Sequence, residues 1–471
     1  MGGGQGGGEA LKALGRLLLW DKAGAGAFFV AASVFAAVAC SLWTADPDVF
    51  WHLAVGKWIA ENGAVPRADV YSWSAAGRPW TAHQWLWELA LWVAFRLGGA
   101  VGIWTLAGAA VFAGCLVLRA GLAAAGAREE IAWLAAGLAP VMLLGWIKPW
   151  PQAGVYGLFC VYLWLSLRGK WTARDAFLAG GLAALWANVH SSAVLLPCLL
   201  AAEGVWEGLH RRPAGGRFLA SACAAAGLLA NPHGAGLIIY AVREGLLTGT
   251  YRRHIAEWMP FYFGSPELAV SFFGCALIFL AAAAAGRWQT AEFVRAAGLW
   301  ALALLSRIWT PYAVLATCAL LGGLSFRFRP FKAAAALAAG MAVLVLAVRG
   351  VPPDLDAAAA RNRYPVAAVR VLRSAGIERP FNDYGFGGYL LWRGIPIYLD
   401  GRADLYRGGV LERYLRAPEE EDDLAGYVAS TGADGAVVVR RGPYDRALAA
   451  SPWWERVYAD EAAAVYRRRG P

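Results

Sequence analysis

Apolar residues fill the chain in long blocks as far as about residue 350 and thin to shorter, interrupted stretches beyond it. Runs lie near 24–44, 101–118, 131–147, 152–168, 176–190, 191–206, 217–239, 267–285, 290–306, 309–326 and 331–350. A helix needs roughly 17–25 mainly apolar residues to cross a bilayer, or fewer inside a bundle. These runs therefore predict about eleven spans. One further block, WLWELALWVAFRLGG at 85–99, is short and carries Glu88 and Arg96, so it reads as an amphipathic helix lying along the membrane surface. After a turn-rich PPDLD linker the pattern changes. YLLWRG, IPIYLDGR, GAVVVRR and AAAVYRRR predict strands, whereas YPVAAVRVLRSAG and EEEDDLAGYVASTG predict helices that each end at Gly. The predicted fold class is mainly α: a polytopic transmembrane helical bundle followed by a small C-terminal extracytoplasmic α/β domain. The expected divisions are a Gly-rich, basic cytoplasmic tail at 1–23, a membrane domain at 24–350 with an extracytoplasmic loop at 45–100, and the outer domain at 351–471.

Composition reinforces this picture. Of 471 residues, 59% are hydrophobic and 16% charged, against about 25% charged in soluble domains; the mean hydropathy is +0.45. The 24 Trp and 17 Tyr suit water–lipid interfaces. A net charge of +10 fits basic cytoplasmic loops better than nucleic-acid binding, because no basic soluble domain precedes the membrane region. The run 24–44 is long enough to span and lacks an A-x-A cleavage site, which predicts an uncleaved anchor. Cys40, Cys115, Cys160, Cys198, Cys223, Cys275 and Cys318 lie in apolar segments without metal spacing and read as small core residues.

The positive-inside bias sets the topology. With 85–99 on the surface, Arg119/Arg128, Arg168/Lys170/Arg174, Arg211/Arg212/Arg217, Arg287 and Arg327/Arg329/Lys332 share a side with Lys12, Arg16 and Lys22. The polar segments KPWPQ, NVHSS, NPHG, RRHIAEWMP and SRIW then fall on the outer face with the Asp48 loop. Polar groups collected at helix ends on one side mark a site. Each group also has a plainer reading. Asp46 is foremost an N-cap for the helix beginning near Val49, His52 shares a helical face with Asp48, and Asn231-Pro232 ends a helix. In NDYGFGGYLLW, Gly385, Gly387 and Gly388 predict a tight turn before a strand. Asp400 and Arg402 follow a predicted strand, where an ion pair is at least as common as a ligand site.

The loop from Asp48 through VFWHLAVGKWIAEN, Gly63, Pro66 and GRPWTAHQWLWELALWVAFRLGG resembles the first loop of the GT-C superfamily, specifically of protein mannosyltransferase and aminoarabinose transferase relatives. Counting back from Gly63 places Asp48 on that family's acidic position. Val49 stands where Glu is common, and AHQW replaces K-P-P-L. The motifs Asp46–Leu53, Trp80–Leu86, Asn231–Gly234, Glu257–Trp258, Gly387–Leu390 and Asp400–Arg402 also resemble bacterial membrane proteins of unassigned activity. The resemblance implies a glycosyltransferase of the bacterial cytoplasmic (inner) membrane, using a polyprenyl-phosphate-linked sugar and a glycan, lipid or protein acceptor outside the cytoplasm. It implies Asp48, His52, Asp69 and His83 as catalytic residues. From their place at outer helix ends and after a predicted strand, Asp46, Lys148, Gln152, His190, Asn231, Arg252, Arg253, Glu257, Asp400 and Arg402 are the candidate substrate-binding residues, with Lys148, Arg252 and Arg253 as phosphate ligands. No metal ligand set is assigned, and a divalent ion remains open. A transporter or scaffold for lipid-linked glycans is the alternative.

Overall fold

The computed structural model describes residues 22–41, 46–246, 255–264, 266–324, 331–349 and 354–469. The N-terminal tail expected at 1–23 lies almost wholly outside the described residues. The helices run α1 (Lys22–Ser41), α2 (Pro47–Asn62), α3 (Trp85–Ala124), α4 (Glu129–Met142), α5 (Pro151–Leu167), α6 (Ala173–Val189) and α7 (Leu195–Leu209). They continue as α8 (Gly215–Gly227), α9 (Gly236–Leu246), α10 (Pro266–Ala284), α11 (Ala291–Leu305), α12 (Thr310–Leu320) and α13 (Phe331–Arg349). The C-terminal part holds α14 (Leu355–Arg361), α15 (Ala368–Ser374), β1 (Pro380–Asn382), α16 (Tyr384–Trp392), α17 (Val410–Glu420) and α18 (Leu424–Ser430). It closes with β2 (Gly435–Val439), α19 (Pro443–Ala450), β3 (Trp454–Ala459) and β4 (Ala463–Arg468).

Contacts divide the chain into two units: Met1–Trp43, Trp104–Ala241 and Tyr251–Val351 form one, and Thr44–Ile103, Val242–Thr250 and Pro352–Pro471 the other. The first is helical. Small residues let its helices touch backbone to backbone: a Cβ on Gly227 of α8 would lie 2.1 Å from the Gly180 carbonyl oxygen of α6. Close contact at small residues is the packing that membrane helices use, since burial from water supplies no drive in lipid. Phe28 and Ala32 of α1 pack with Leu134 of α4 and Ala335 of α13. Cys115, Cys160, Cys275 and Cys318 are buried, as expected of small core residues, but Cys198 is exposed and Cys223 half-buried, because an apolar helix also has an outward face. Phe177, Leu209, Leu277 and Leu337 are exposed by two thirds or more, an outward apolar surface that suits lipid rather than water. Among the described residues Trp85–Ala124 and Ser191–Leu209 are long and apolar enough to cross a membrane. Shorter apolar helices such as Pro151–Leu167 rise roughly 25 Å.

One expectation for these segments changes. The run 217–239 is not one helix: α8 stops at Gly227 and α9 starts at Gly236, with a turn built around Asn231 between them. The segment 85–99 is continuous with the following span in hydrogen bonding but breaks at Gly98–Gly99, whose dihedrals leave the helical region.

Inside the first unit, α5, α7, α8 and α11 meet at a buried ion network. Glu203 accepts from Tyr162 Oη (2.5 Å), Arg295 Nη1 (2.6 Å) and Arg217 Nη1, while Arg217 Nε pairs with Glu207 at 2.7 Å.

The second unit carries a mixed four-stranded sheet of order β1-β2-β4-β3. β1 is parallel to β2, with Phe381 opposite Ala436; the other pairs are antiparallel, with Val437 opposite Val465 and Glu455 opposite Arg467. Two of the four expected strands are corrected. YLLW belongs to helix α16, and IPIYL forms one isolated bridge, Ile397 to Ser72, outside the sheet. Both segments are nearly all apolar and short, so periodicity cannot separate a buried strand from a buried helix turn. Strands β1 and β3 lie outside the four expected; β3 exposes Glu455 and Arg456, the charged habit of an edge strand.

Neutralising Glu203 leaves two buried guanidinium groups without the negative charge they share, and breaking a buried pair costs about 3–5 kcal/mol. Glu203→Gln should therefore sharply lower the unfolding midpoint in detergent. Glu61→Gln, which breaks an exposed pair with Lys57 at 3.8 Å, should change it little, as exposed pairs contribute about 0–1 kcal/mol.

Candidate active site

The Asp48 turn is built by local rules. Asp46 is the N-cap of α2, its Oδ1 accepting from the Asp48 N–H at 3.1 Å, and Pro47 takes the first helical position, where a missing N–H costs nothing. Gly63 ends the helix in the left-handed conformation at φ 63°. Asp48 is half-buried, and its Oδ1 accepts from Trp51 Nε1 at 2.9 Å. One turn on, His52 is buried with its ring against Trp51 (centroids 3.6 Å), and His52 Nδ1 lies 3.1 Å from Glu88 Oε1. Glu88 is itself buried, and its Oε2 has no hydrogen-bond partner among the described residues. One proton between His52 Nδ1 and Glu88 Oε1 satisfies those two atoms.

The segment 63–84 is stitched to residues 380–406 of the same unit. Trp73 N donates to the Ile397 carbonyl at 3.0 Å, Trp73 Nε1 to the Pro380 carbonyl at 3.0 Å, and Ser74 Oγ to the Tyr398 carbonyl. Asn382 Nδ2 donates to the Leu399 carbonyl and its Oδ1 accepts from Tyr398 N, holding the chain that leads to Asp400. Arg402 stands at the centre of this weave. Its Nη1 reaches Asp69 Oδ1 at 2.7 Å, Nε and Nη2 reach Asp400 at 2.9 Å, and Nη2 donates to Tyr406 Oη at 3.2 Å. The rings of Tyr71 and Trp80 lie 5.1 and 5.0 Å from its Cζ. Asp69 also accepts from Ser72 N and Ser72 Oγ. Burial pushes the Tyr406 phenol well above its usual range, the Arg402 charge only partly opposing this. Asp69, Asp400 and Arg402 are 3%, 0% and 1% exposed, too enclosed to meet a substrate in this arrangement.

Three of the expected site residues therefore form a structural frame (Asp69, Asp400, Arg402), Asp46 is a helix cap, and Asp48 is the half-buried carboxylate beside the D-G-R segment. His83 is half-buried, its Nδ1 3.2 Å from the Thr81 carbonyl, which assigns the proton to Nδ1 and leaves Nε2 as an acceptor in the neutral ring. In the first unit, Gln152 and His190 meet at 3.4 Å. His190 Nδ1 accepts from Ser192 N at 3.0 Å, and the atom of Gln152 that faces His190 Nε2 is the amide nitrogen Nε2. Ser192 Oγ accepts from Trp186 Nε1 and Tyr312 Oη. Lys148 Nζ sits 3.9 Å from the Trp150 ring centroid. Asn231 holds its own turn, donating to the Leu228 and Gly234 carbonyls and accepting from His233 N. Glu257 is half-buried in the short turn Ala256–Trp258, and Arg307 N donates to the adjacent Met259 carbonyl at 3.0 Å. Arg252 and Arg253 lie outside the described residues. Among the described residues no cluster of His, Cys, Asp and Glu has metal-binding geometry.

The expected tight turn at Gly385–Gly388 is instead the first part of α16, preceded by Asp383, whose carboxylate accepts from Tyr414 Oη and Val439 N rather than capping the helix. Gly387 and Gly388 serve close packing: a Cβ on Gly388 would lie 2.2 Å from the Pro47 carbonyl oxygen. Glu88, Gly388 and Gly401 were not among the expected site residues, although adjacent glycines in an apolar helix signal close backbone approach.

No protein-family model and no characterised protein matches the chain by sequence. Its fold matches those of solved GT-C membrane enzymes. The oligosaccharyltransferase of Archaeoglobus fulgidus in the apo form is similar with a TM-score of 0.59 at 12% identity, over 88% of this chain and 69% of that one. The same organism's AglB, in complex with an inhibitory peptide and a dolichol-phosphate, gives 0.56 at 13%, over 87% and 69%. ArnT from Cupriavidus metallidurans bound to undecaprenyl phosphate gives 0.53 at 13%, over 94% and 98%.

The frame makes its own prediction. Arg402→Met strands two buried carboxylates and should destabilise the protein by about 3–5 kcal/mol. Arg402→Lys should recover only part of that loss, because one ammonium cannot span both carboxylates. Thermal unfolding of the purified variants in detergent measures both.

Proposed function

We propose that this protein is a glycosyltransferase of GT-C type that moves a sugar from a polyprenyl-phosphate-linked donor to an acceptor outside the cytoplasm, in a bacterial cytoplasmic membrane. The observation that carries the reading is the Asp48 turn: a half-exposed carboxylate, aimed by Trp51 Nε1 and backed by a fully satisfied buried frame, in a fold shared with polyprenyl-phosphate-binding enzymes. In the proposed step Asp48 takes the proton from an acceptor hydroxyl. The acceptor oxygen forms its bond to the anomeric carbon as the bond from that carbon to the phosphate oxygen breaks, and polyprenyl phosphate departs with the electron pair. A positioned base contributes typically ~10²–10⁴-fold to such a step. The departing phosphate requires positive charge. Lys148 and Arg307, at helix-end turns of the first unit, and Arg252 and Arg253 are the proposed sources. His83, Gln152, His190 and Glu257 are proposed to orient donor or acceptor. His52 supports Asp48 through the Trp51 ring.

Asp48→Asn tests the proposal in proteoliposomes supplied with a panel of undecaprenyl-phosphate-linked hexoses and pentoses. The member turned over by the wild type serves as probe. Release of undecaprenyl phosphate should fall ~10²-fold or more, with undecaprenyl phosphate binding unchanged. Full turnover by the variant would remove Asp48 as base and favour a carrier or scaffold of lipid-linked glycans.

A further inference from the structure

The D-G-R segment does more than supply Arg402. A Cβ built on Gly401 would fall 1.9 Å from Asp48 Oδ1 and 2.8 Å from Trp51 Nε1, the two atoms whose 2.9 Å hydrogen bond aims the carboxylate. The backbone of residue 401 is thus the wall against which the Asp48 carboxylate rests. That wall is fixed on both sides: Asp400 and Arg402 are locked into the buried ion frame, and Asp400 Oδ1 also accepts from Arg402 N at 3.0 Å across the glycine. A second glycine acts on the same turn from α16, where Gly388 lies against the Pro47 carbonyl one residue before Asp48.

We propose that Gly401 is a positioning residue for Asp48, so that the chemistry assigned to α2 is set by a glycine more than 350 positions later in the chain. This rests on the reading of Asp48 as base. Only glycine leaves room for the carboxylate and the indole N–H to stay in register. Any side chain at 401 pushes the carboxylate off the indole by about an ångström, a displacement that costs ~10²-fold in a positioned reaction. The two glycines differ in what yields. At 401 the obstructing atoms are the ends of side chains, which rotate away and let the protein fold. At 388 the obstruction is backbone oxygen, which cannot move without shifting α2.

The contrast supplies the experiment. Gly401→Ala, Gly388→Ala, Asp48→Asn and the double variant Asp48→Asn/Gly401→Ala are made in the full-length protein. They are assayed in proteoliposomes with the undecaprenyl-phosphate-linked sugar that the wild type turns over. Gly401→Ala should keep the wild-type unfolding midpoint and donor KM while kcat falls ~10²-fold. Added to Asp48→Asn it should cost nothing more, because the group it misplaces is already gone. Gly388→Ala should lower the unfolding midpoint. The inference is overturned if Gly401→Ala keeps full kcat while Asp48→Asn is inactive. It is also overturned if Gly401→Ala loses stability as Gly388→Ala does, or if the two losses add in the double variant. Full activity of Asp48→Asn defeats the base assignment itself, a result separate from either.

Discussion

A guanidinium with no exposure to water survives only where acceptors surround it, and Arg402 meets that condition with Asp69 on one side, Asp400 on the other and Tyr406 beyond. Taking three ions out of water together carries a desolvation cost of several kcal/mol per ion, which mutual attraction and the added Ser72 bonds offset. The geometry is accordingly intolerant. The carboxylates come from segments far apart in sequence, so the ion cluster fixes where the loop 63–84 and the D-G-R segment stand within their unit. Nearly everything near Asp48 inherits its position from that constraint.

The first unit solves a different problem. Its helices lack water as a driving force, and they are held by backbone-to-backbone contact at small residues together with one central acid, Glu203, shared by two arginines. The same device, a buried charge saturated by opposite partners, thus recurs in both units. In one it ties helices together, and in the other it ties loops.

Helix positions were largely legible in the chain. Apolar runs gave most helices to within a few residues, and the Asp46-Pro47 start and Gly63 stop of α2 follow from capping chemistry alone. The Gly-rich stretch at 385–388 misled because glycine signals either a turn or a close approach, and only the partner, here the Pro47 carbonyl, decides between them. IPIYL misled because an apolar pentad says that a segment is buried, not that it pairs in a sheet. At the site, Asp48 and the Asp–Arg pair were visible as residue types. The role of Arg402 as a clasp on Asp69 was not, since a contact across 333 positions leaves no local trace. Glu88 was visible only as one carboxylate among several; its match with His52 needs the crossing of two helices.

That span of 333 positions has a temporal meaning. A ribosome has released nearly the whole polypeptide before Arg402 emerges, so the loop containing Asp69 waits, incomplete, through most of synthesis and insertion. Contacts so distant along a chain form late and slowly. The loop containing Asp69 therefore stays unclasped until the segment carrying residue 402 docks, and a premature stop ahead of that residue leaves Asp69 without the counter-charge it is buried against.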